Sequence, residues 1–451
     1  MAVWNDVALS YMQEFRRTDA EYYQPSYQAL FSQVLSCNGE RISRLAVVTD
    51  GIHGSPEIAQ NGVRYISAKC VRDNEFTVEG CIYISNRQHE ANPRTQLKID
   101  DVIVTSVGTI GNTAVVDDEI LPSNCDRHVA IIRIKVSTSL SPFFLSAFLN
   151  SKYGRFQTVR ESARNVQLNL YTQNIGKIVV PRFGSEESNI ERLVKLAYKK
   201  RKASKELYGQ ALQILESELG LDKLDFLKPV GYAARFGSIN LSDAFLTGRI
   251  DAQCFAPTPV FYEQWFSQHA SSIRLGQIIE ATVKGRQQIE LPSGTVDYCS
   301  IKNISKREFV GASKCTPTEE TPLAAKDDLL LAITGATIGK IGIVKRYARL
   351  AFSGDLLRLR VKLEMDPHYL LLVLDHTVGQ IQFNRWITGS TNGHLAPKDV
   401  RHVLVPRLSV EAERQIAELV EESLTKLAES EALLEQAKIR VEKLIEEAVQ
   451  P

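Results

Sequence analysis

The sequence predicts a mixed α+β fold in which an α/β domain occurs twice, each copy followed by a long helix. Residues 101–116 and 328–344 share one pattern: an Asp, an apolar run, a Thr-Ile-Gly turn and a second apolar run. Val180-Pro181-Arg182 follows the first pattern and Val405-Pro406-Arg407 follows the second, and each leads into a long stretch of helical periodicity. A repeat of this length indicates a duplicated domain, since the units of solenoid proteins run to roughly 20–50 residues.

Length and composition agree with a duplication. A chain of 451 residues is expected to hold two to three domains. Its 44% apolar and 24% charged residues are typical of globular proteins. We predict a first domain at residues 1–184, a first long helix at 185–224, a second domain at 225–408 and a second long helix at 409–451.

The first domain should begin with a helix at Tyr27–Leu35, for which Pro25 is a suitable start. Between residues 42 and 136, short apolar runs alternate with turn residues, which is typical of short strands. These runs are Leu45–Val48, Val63–Ile66, Cys81–Ile84, Val102–Val104, Ala114–Val116 and Ala130–Ile134. A further apolar helix should start at Pro142 and end near Gly154.

The second domain should repeat this order. Arg249-Ile250-Asp251-Ala252 precedes the second copy of the repeated pattern, as Arg17-Thr18-Asp19-Ala20 precedes the first. A helix at His368–Asp375 follows Pro367, in the place of the earlier Pro142 helix. The expected strands are Ile278–Ile279, Leu329–Ile333, Ile341–Val344 and Leu356–Val361.

The two long helices carry opposite charges at their centres. Gly220 is a suitable stop for the first. The basic residues of the first are Lys195, Lys199, Lys200, Arg201, Lys202 and Lys205, and the acidic residues of the second are Glu418, Glu421, Glu422, Glu429, Glu431 and Glu435. Complementary flanking charges and an apolar stripe predict an antiparallel coiled coil. The alternative is that both charge runs are solvated faces of separately docked helices.

Composition restricts the class of protein further. The net charge of +1 means that any nucleic-acid binding must come from local patches. The seven cysteines form no Cys-x-x-Cys pair, which argues against a zinc ribbon or a disulfide framework. No signal peptide and no apolar run of roughly 18–20 residues is present, so we expect a cytoplasmic protein without a membrane partner.

One segment, Gly335–Lys340, resembles a phosphate-binding loop. It is one residue short of that motif, and Ile341 stands where a Ser or Thr would hold magnesium. The other copy has Asn112 in place of Lys340, so we expect a tight turn and no nucleotide site. Since methyltransferase, dinucleotide, zinc-protease and serine-hydrolase motifs are also missing, we predict recognition without catalytic or metal-binding residues.

Loops between the short strands carry the residue types that contact DNA phosphates and base edges. Gly285–Gln288 is the best candidate for a base-reading loop. For each residue the alternative is an ordinary exposed polar side chain. The candidates are His53, Arg64, Lys69, Arg87, Gln88 and Arg94 in the first domain, and Lys284, Arg286, Gln287, Gln288, Lys302, Lys306 and Arg307 in the second.

The doubled order of domain and helix resembles the specificity subunit of a type I restriction-modification system. The resemblance covers nearly the whole chain and includes the paired openings Tyr23-Gln24-Pro25 and Phe255-Ala256-Pro257. It implies two target-recognition domains, each reading one half of a bipartite site in double-stranded DNA. It also implies that the paired helices set the spacer and dock two methyltransferase (M) subunits.

The same resemblance implies the remaining partners. S-adenosylmethionine would be bound by the methyltransferases, motor-nuclease (R) subunits would join them, and this chain would hold no cofactor. DNA methylation and phage defence would be the role of the complex. Two alternatives stay open: a related type IIB or other methylation-based phage-defence system, and a protein-binding scaffold with duplicated domains.

Overall fold

The computed structural model describes residues 5–15, 17–78, 80–164, 168–221, 254, 256–309, 312–362, 364–389 and 392–449. The predicted marker at residues 249–252 and Phe255 lie outside these residues. The chain forms two compact units, Met1–Lys200 with Ala428–Pro451 (unit 1) and Arg201–Leu427 (unit 2). Each long helix therefore contributes one part to each unit.

Unit 1 is built on a four-stranded antiparallel sheet, which we call its main sheet. The order of its strands is Ala46–Asp50, Val129–Ile134, Val102–Thr105 and Thr113–Val115. A second sheet has the order Ile82–Ile84, Ile58–Ile66 and Ser123–Cys125, with the last two strands parallel. Shorter strands pair as Glu40–Arg41 with Val179–Val180, Val71–Arg72 with Glu75–Phe76, and Ala163–Arg164 with Leu168–Asn169.

Helix Pro142–Asn150 packs on the main sheet of unit 1. The helices are Leu9–Phe15, Pro25–Leu35, Ile42–Leu45, Asn86–Ala91, Pro142–Asn150, Lys152–Glu161 and Thr172–Ile175, with 3-10 turns at Ala20–Tyr23, Ala68–Cys70 and Pro93–Thr95. Phe144 and Phe148 of the apolar helix are fully buried against Val102 and Ile132 of the sheet. Burying a side chain of this size contributes about 1.5–3 kcal/mol, so this face is a major source of stability.

The prediction that the Pro142 helix ends near Gly154 is wrong. The helix ends at Asn150, and Gly154 lies inside the next helix, Lys152–Glu161. The reason is Ser151, whose side-chain oxygen accepts a hydrogen bond from the backbone N–H of Gly154 and so caps the second helix.

Unit 2 has the same construction with a larger main sheet. Its main sheet has the strand order Val283–Lys284, Leu356–Leu359, Leu329–Ala332, Ile341–Ile343, Glu308–Phe309 and Ile304–Ser305. A second sheet has the order Ser313–Cys315, Val296–Cys299, Leu350–Phe352 and Leu323–Ala324. Further strands pair as Ser271–Arg274 with Leu404–Arg407 and as Ile387–Thr388 with His394–Leu395.

The helices of unit 2 include the predicted one after Asp366, which caps Pro367–Asp375. They are Pro257–His269, Leu275–Ile278, Pro367–Asp375, Thr377–Trp386 and Pro397–Val400, with 3-10 turns at Ile301–Asn303 and Gly335–Thr337. The predicted strand at Ile278–Ile279 is wrong, because Ile278 ends a short helix. Ile279 forms only an isolated bridge with Val361.

The repeated sequence pattern is a β-hairpin in both units. Val102 pairs with Val115 in unit 1 and Leu329 pairs with Ile343 in unit 2, each at the start of an antiparallel ladder. The Thr-Ile-Gly turns also match, since Gly111 has φ 88° and Gly339 has φ 90°. Both glycines occupy the left-handed region, which explains the residue type.

A glutamine in each unit makes a second matching contact. Gln157 donates from Nε2 to the Val179 carbonyl at 2.9 Å and accepts from the Val179 N–H at 2.9 Å. Gln382 makes the same pair of bonds with Leu404, at 2.9 and 2.7 Å. Both glutamines are fully buried, so each ties a helix to the strand that precedes a long helix.

The Val-Pro-Arg markers lie just before the two long helices, Ser185–Glu218 and Val410–Glu447. Arg182 donates from Nε to Glu187 at 2.9 Å, and Arg407 donates from Nε to Glu413 at 2.8 Å. Each glutamate lies in the first turns of its helix, where a carboxylate is favoured by the helix dipole. The markers thus fix the entry of each helix.

The two long helices run antiparallel within each unit, as predicted. In unit 1, Arg440 pairs with Glu186 at 3.0 Å, and the Ser430 hydroxyl donates to the Ala197 carbonyl at 2.7 Å. In unit 2, the hydroxyls of Ser204 and Ser423 lie 3.0 Å apart.

The core stripe of the paired helices is apolar. It includes Ile190, Val194 and Ala197 with Ala437, Val441 and Ile445 in unit 1, and Ala211 and Leu215 with Ile416 and Val420 in unit 2. Between the predicted charge centres, Lys200 pairs with Glu429 at 2.6 Å. Lys195 instead pairs with Glu191 of its own helix, at 2.5 Å. The apolar stripe, with fully buried side chains, is the main source of the pairing.

Candidate nucleic-acid interface

In both units the loop that leaves the first strand of the main sheet crosses a neighbouring strand at a glycine. A Cβ on Gly51 would lie 2.2 Å from the Asp126 carbonyl oxygen, and one on Gly285 would lie 2.3 Å from the Phe352 oxygen. Only glycine fits such an approach. The next N–H groups donate to that strand in both units, Ile52 at 2.8 Å and Arg286 at 3.0 Å.

These contacts make Gly51–Gly54 the counterpart of Gly285–Gln288, which is the predicted base-reading loop. The two loops occupy the same place in their sheets but differ in their side chains. We call the surface formed by this loop and the adjoining strand ends the first edge in unit 1 and the second edge in unit 2.

Asp50, at the end of strand Ala46–Asp50, organises the first edge. Its carboxylate contacts His53 Nε2 and accepts from Arg94 Nη1 at 2.9 Å. Arg94 also donates to the Asp50 carbonyl at 3.0 Å. Partial burial opposes ionisation, but the hydrogen bonds from His53 and Arg94 outweigh it and hold the pKa of Asp50 below its usual value. The structure therefore brings two predicted residues, His53 and Arg94, onto one carboxylate.

A cleft of about 330 Å³ opens beside this carboxylate. It is lined by Asp50, His53, Ser106, Val107, Arg127, His128, Ala130, Asn169, Leu170, Tyr171 and Thr172. Arg127 and Tyr171 are exposed at this cleft. The His128 ring lies with Nδ1 2.9 Å from Asp126 Oδ2, and its N–H donates to Asp126 Oδ1 at 2.8 Å. The aspartate thus fixes both the backbone and the ring of His128.

Arg127, His128, Asn169 and Tyr171 were missed from the sequence. The available signal was the polar run Asn124–His128, which separates two apolar runs as the predicted loops do. Asn169 and Tyr171 reach the cleft through the short strand Leu168–Asn169, which the sequence pattern did not indicate.

Two other predicted residues of unit 1 contact the far part of the first-edge loop. Arg87 Nη2 pairs with Glu57 at 2.6 Å, and Gln88 accepts from the Glu57 N–H at 2.8 Å. Arg64 instead donates from Nη1 to the Glu119 carbonyl at 3.0 Å. Lys69 is exposed on the 3-10 turn Ala68–Cys70.

The second edge carries four predicted residues. Lys284, Arg286 and Gln287 are exposed, and Gln288 is half-buried and donates from Nε2 to the Arg286 carbonyl at 3.3 Å. Arg286 Nη1 pairs with Glu320 at 2.7 Å and holds the pKa of that carboxyl below its usual value. Because both side chains are exposed, this pair adds little to stability and can open for a ligand.

Strand register identifies the second-edge counterpart of His128. Val129 pairs with Thr105 and Leu356 pairs with Ala332, at matching positions of the two hairpins. The residues before them, His128 and Asp355, are therefore equivalent. Asp355 is exposed and accepts from the Thr334 hydroxyl at 2.7 Å. One edge thus has an imidazole where the other has a carboxylate.

Three predicted residues of unit 2 lie on another hairpin, Ile304–Ser305 with Glu308–Phe309, or just before it. Lys302 is exposed on a 3-10 turn, while Lys306 and Arg307 form the hairpin turn with φ 47° and 71°. Arg307 Nε lies 2.5 Å from Asp375 Oδ2, and its guanidinium lies 3.8 Å from the Tyr208 ring centre. This stacking gives Arg307 a structural role within unit 2.

The Thr-Ile-Gly turns contribute to the scaffold. Lys340 Nζ donates to the Ile304 carbonyl at 2.8 Å, and Asn112 Nδ2 donates to the Val71 carbonyl at 3.1 Å. The ammonium of Lys340 therefore donates to a backbone oxygen, as the Asn112 amide does in the other copy.

Within the described ranges, no cluster of three or more His, Cys, Asp or Glu side chains is arranged to hold a metal ion. In the same part of the chain, no helix combines the length and apolar character that crossing a membrane requires.

Comparison with known proteins gives structural matches. No model of a known protein family matches the chain, and no curated protein does. The chain is similar to the S subunit of a type I restriction-modification system from M. genitalium, at 13% identity over 92% of this chain and 96% of that one, with a TM-score of 0.45.

Two further solved structures are similar over comparable lengths. One is the HsdS subunit from Thermoanaerobacter tengcongensis, at 13% identity over 90% of this chain and 95% of that one, with a TM-score of 0.29. The other comes from a study of complex assembly and conformational transition in the type I system, at 12% identity over 91% and 95%, with a TM-score of 0.31. Type I S subunits are thus among the solved structures similar to this chain over 90–92% of its length.

Proposed function

We propose that this chain is a DNA sequence-recognition subunit of a type I restriction-modification complex. One observation carries the proposal: the two units share their scaffold contacts but differ in side chains at the same edge. Gly51 and Gly285 hold the two loops in one position, whereas His128 in unit 1 is replaced by Asp355 in unit 2. A constant frame with variable polar side chains is what reading two different half-sites requires.

The residue types at the edges support direct readout of bases. Arginine and lysine donate to guanine, asparagine and glutamine bond to adenine, and aspartate accepts from cytosine. The first edge has Arg127 and Asn169, and the second has Arg286, Gln287 and Asp355. Lys69 and Lys302 are exposed and suit phosphate contacts, which set the register on the duplex.

The duplication also suits the remaining parts of the proposal. Each unit would read one half of a bipartite site, and the paired helices would set the unread spacer between the halves. Repeated surfaces suit two copies of one partner, for which we propose methyltransferase subunits that bind S-adenosylmethionine. Motor-nuclease subunits would complete the complex, and this chain would contribute no catalytic residue.

Modification mapping tests the proposal directly. DNA from a host that carries this chain with its methyltransferase should show methylation at a bipartite sequence with a fixed spacer. Methylation should require both proteins. A continuous site, or methylation that is unchanged without this chain, would refute the proposal.

Binding measurements separate DNA recognition from a protein scaffold. The complex with methyltransferase should lose affinity for its site steeply as salt rises, because phosphate contacts release counterions. A complex that ignores DNA at low salt, while still assembling, would identify the scaffold function instead.

A further inference from the structure

We infer that the cleft of unit 1 receives the major-groove edge of a nucleobase, and that positions 127–128 and 354–355 determine which bases the two units select. The inference rests on the proposed function and identifies reading residues for both half-sites. Its basis is the contact pattern at the first edge, the register that relates it to the second, and the chemistry of the lining residues.

Availability of donors distinguishes Arg127 from the other edge arginines. Arg94 is paired with Asp50, and Arg87 is paired with Glu57. Arg127 is exposed at the cleft, and among the residues that the structure describes its side chain donates no hydrogen bond within the protein. Its planar fork of donors matches the two acceptors, N7 and O6, of guanine.

His128 is held in a defined orientation. Asp126 lies against Nδ1 at 2.9 Å, which leaves Nε2 as the ring atom available for a ligand. Asp126 is therefore a positioning residue for His128. A preorganised ring loses little freedom on binding, which favours contact with a specific partner over a loose contact with phosphate.

The lining of the cleft favours a base edge over a phosphate. A phosphate offers acceptors alone and carries negative charge, so the Asp50 carboxylate in the lining of the cleft disfavours it. Tyr171, with 48% of its surface exposed, adds a phenol that can both donate and accept. A lining with donors and acceptors suits the major-groove edge of a base.

The equivalent position of unit 2 has the opposite chemistry. Gly354 replaces Arg127, and Asp355 replaces His128. A carboxylate accepts hydrogen bonds, so it selects a base with an amino group, such as cytosine through N4. We therefore assign guanine to the first half-site at this position, and a base with an amino group to the second.

The test is selection of bound sites from randomised DNA by the assembled complex of this chain with its methyltransferase. Arg127→Ala should relax the preference for guanine at one position of the first half-site, by roughly 5- to 150-fold. Asp355→Asn should relax one position of the second half-site only. Arg127→Lys should also relax the guanine preference, because an ammonium lacks the planar fork.

The matched control is Arg44→Ala. Arg44 is exposed and lies before the other end of strand Ala46–Asp50, so its removal changes charge equally and should leave base preference unaltered. A uniform loss of affinity in Arg127→Ala that Arg127→Lys restores would overturn the inference in favour of a phosphate contact. So would unchanged preferences in Arg127→Ala and Asp355→Asn.

Failure of the proposed function looks different. In that case the unaltered complex would select no sequence at all, and the variants would be indistinguishable from it. Sequence selection by the unaltered complex, with no change at these positions, overturns only the inference about the cleft.

Discussion

Arg133 binds Asp101 through both carboxylate oxygens, with Nε 2.7 Å from Oδ1 and Nη2 2.6 Å from Oδ2. Arg360 and Asp328 repeat the pair in unit 2, at 2.7 Å for both bonds. Each aspartate is 2% exposed and opens one of the repeated hairpins. The invariant part of the repeat is thus a buried, charge-assisted link between two strands of the main sheet.

Removing either arginine should destabilise its own unit. In Arg133→Ala, the buried carboxylate of Asp101 keeps the hydrogen bond from the Lys98 N–H but loses its arginine partner. In Arg360→Ala, the carboxylate of Asp328 likewise keeps only the bond from the Ala325 N–H. We expect a loss of about 3 kcal/mol in each case. Hydrogen exchange should show faster opening of strand amides in the altered unit alone. Equal effects in both units, or an effect as small as that of Arg44→Ala, would contradict this expectation.

Charge reversal at the second edge should affect one half-site. The double variant Lys284→Glu, Arg286→Glu places two carboxylates on the loop that we propose to face DNA. The assembled complex should lose its base selection in the second half-site, while its selection in the first half-site is retained. Loss of selection at both halves, or at neither, would refute the assignment of this loop.

Arg307→Ala should act on stability, in contrast to changes at Arg286. The substitution removes the pair with Asp375 and the stacking on Tyr208, so unit 2 should lose about 1–3 kcal/mol. Base preference in the second half-site should stay the same. Thermal unfolding and site selection on the same preparation separate the two effects. A stable Arg307→Ala variant with altered selection would show that the turn reads DNA.

Cys70 should titrate at unusually low pH. Its sulfur is in contact with that of Cys81, and the Cys81 thiol holds the pKa of Cys70 below its usual value. In the folded protein the thiolate therefore forms at a lower pH than in the unfolded chain, where the pKa is about 8.5. This stabilisation is complete above about pH 8.5 and is lost as pH falls through the lowered pKa of Cys70.

Thiolate absorbance measures this titration. In a variant that retains only Cys70 and Cys81, absorbance should rise at a lower pH than for an ordinary thiol, and replacing Cys81 by Ala should move the rise toward the usual range. Burial raises the pKa of Cys37, so a variant retaining that thiol alone provides the control. A Cys70 titration that is indifferent to Cys81 would rule out the proposed cause.

Matched deletions in the long helices should shorten the spacer. Ser430 bonds to Ala197, and Ser423 bonds to Ser204. The two contacts are seven residues apart on each helix. Deleting residues 198–204 and 423–429 together removes one heptad from each helix and keeps the antiparallel register. The helices shorten by about 10 Å, which corresponds to about three base pairs. Methylation mapping should show that change, and an unaltered spacer would refute the spacer role.

The fold was predictable where apolar runs are short and separated by turn residues. The strands around Val102 and Ile131 follow from such runs, and both long helices follow from apolar residues at spacings of three and four. Helix Lys152–Glu161 was not predictable in this way, because it buries Gln157, Arg160 and Glu161 and so lacks an apolar stripe. Gln157 bonds to Val179 and Glu161 accepts from the Tyr22 hydroxyl, and no local sequence pattern shows these contacts with distant segments.

The candidate site was predictable only in part, for a related reason. The basic loops at His53 and Arg286 could be recognised as polar runs between strands. That Arg307 stacks on Tyr208, or that Arg127 shares a cleft with Tyr171, depends on segments far apart in the chain. Residue type identifies a possible reader, whereas tertiary packing decides which readers are already engaged.

The close backbone approach at Gly51 and Gly285 makes the position of each loop independent of the side chains that it carries. Because the backbone at these two positions holds each loop, the exposed side chains of His53, Arg286 and Gln287 can change without disturbing the sheet. Positions 53, 286 and 287 should therefore tolerate randomisation in a library, whereas Ile52 is buried and any side chain at 51 or 285 should abolish folding. Such a chain can acquire new targets through a few substitutions, with its architecture inherited intact.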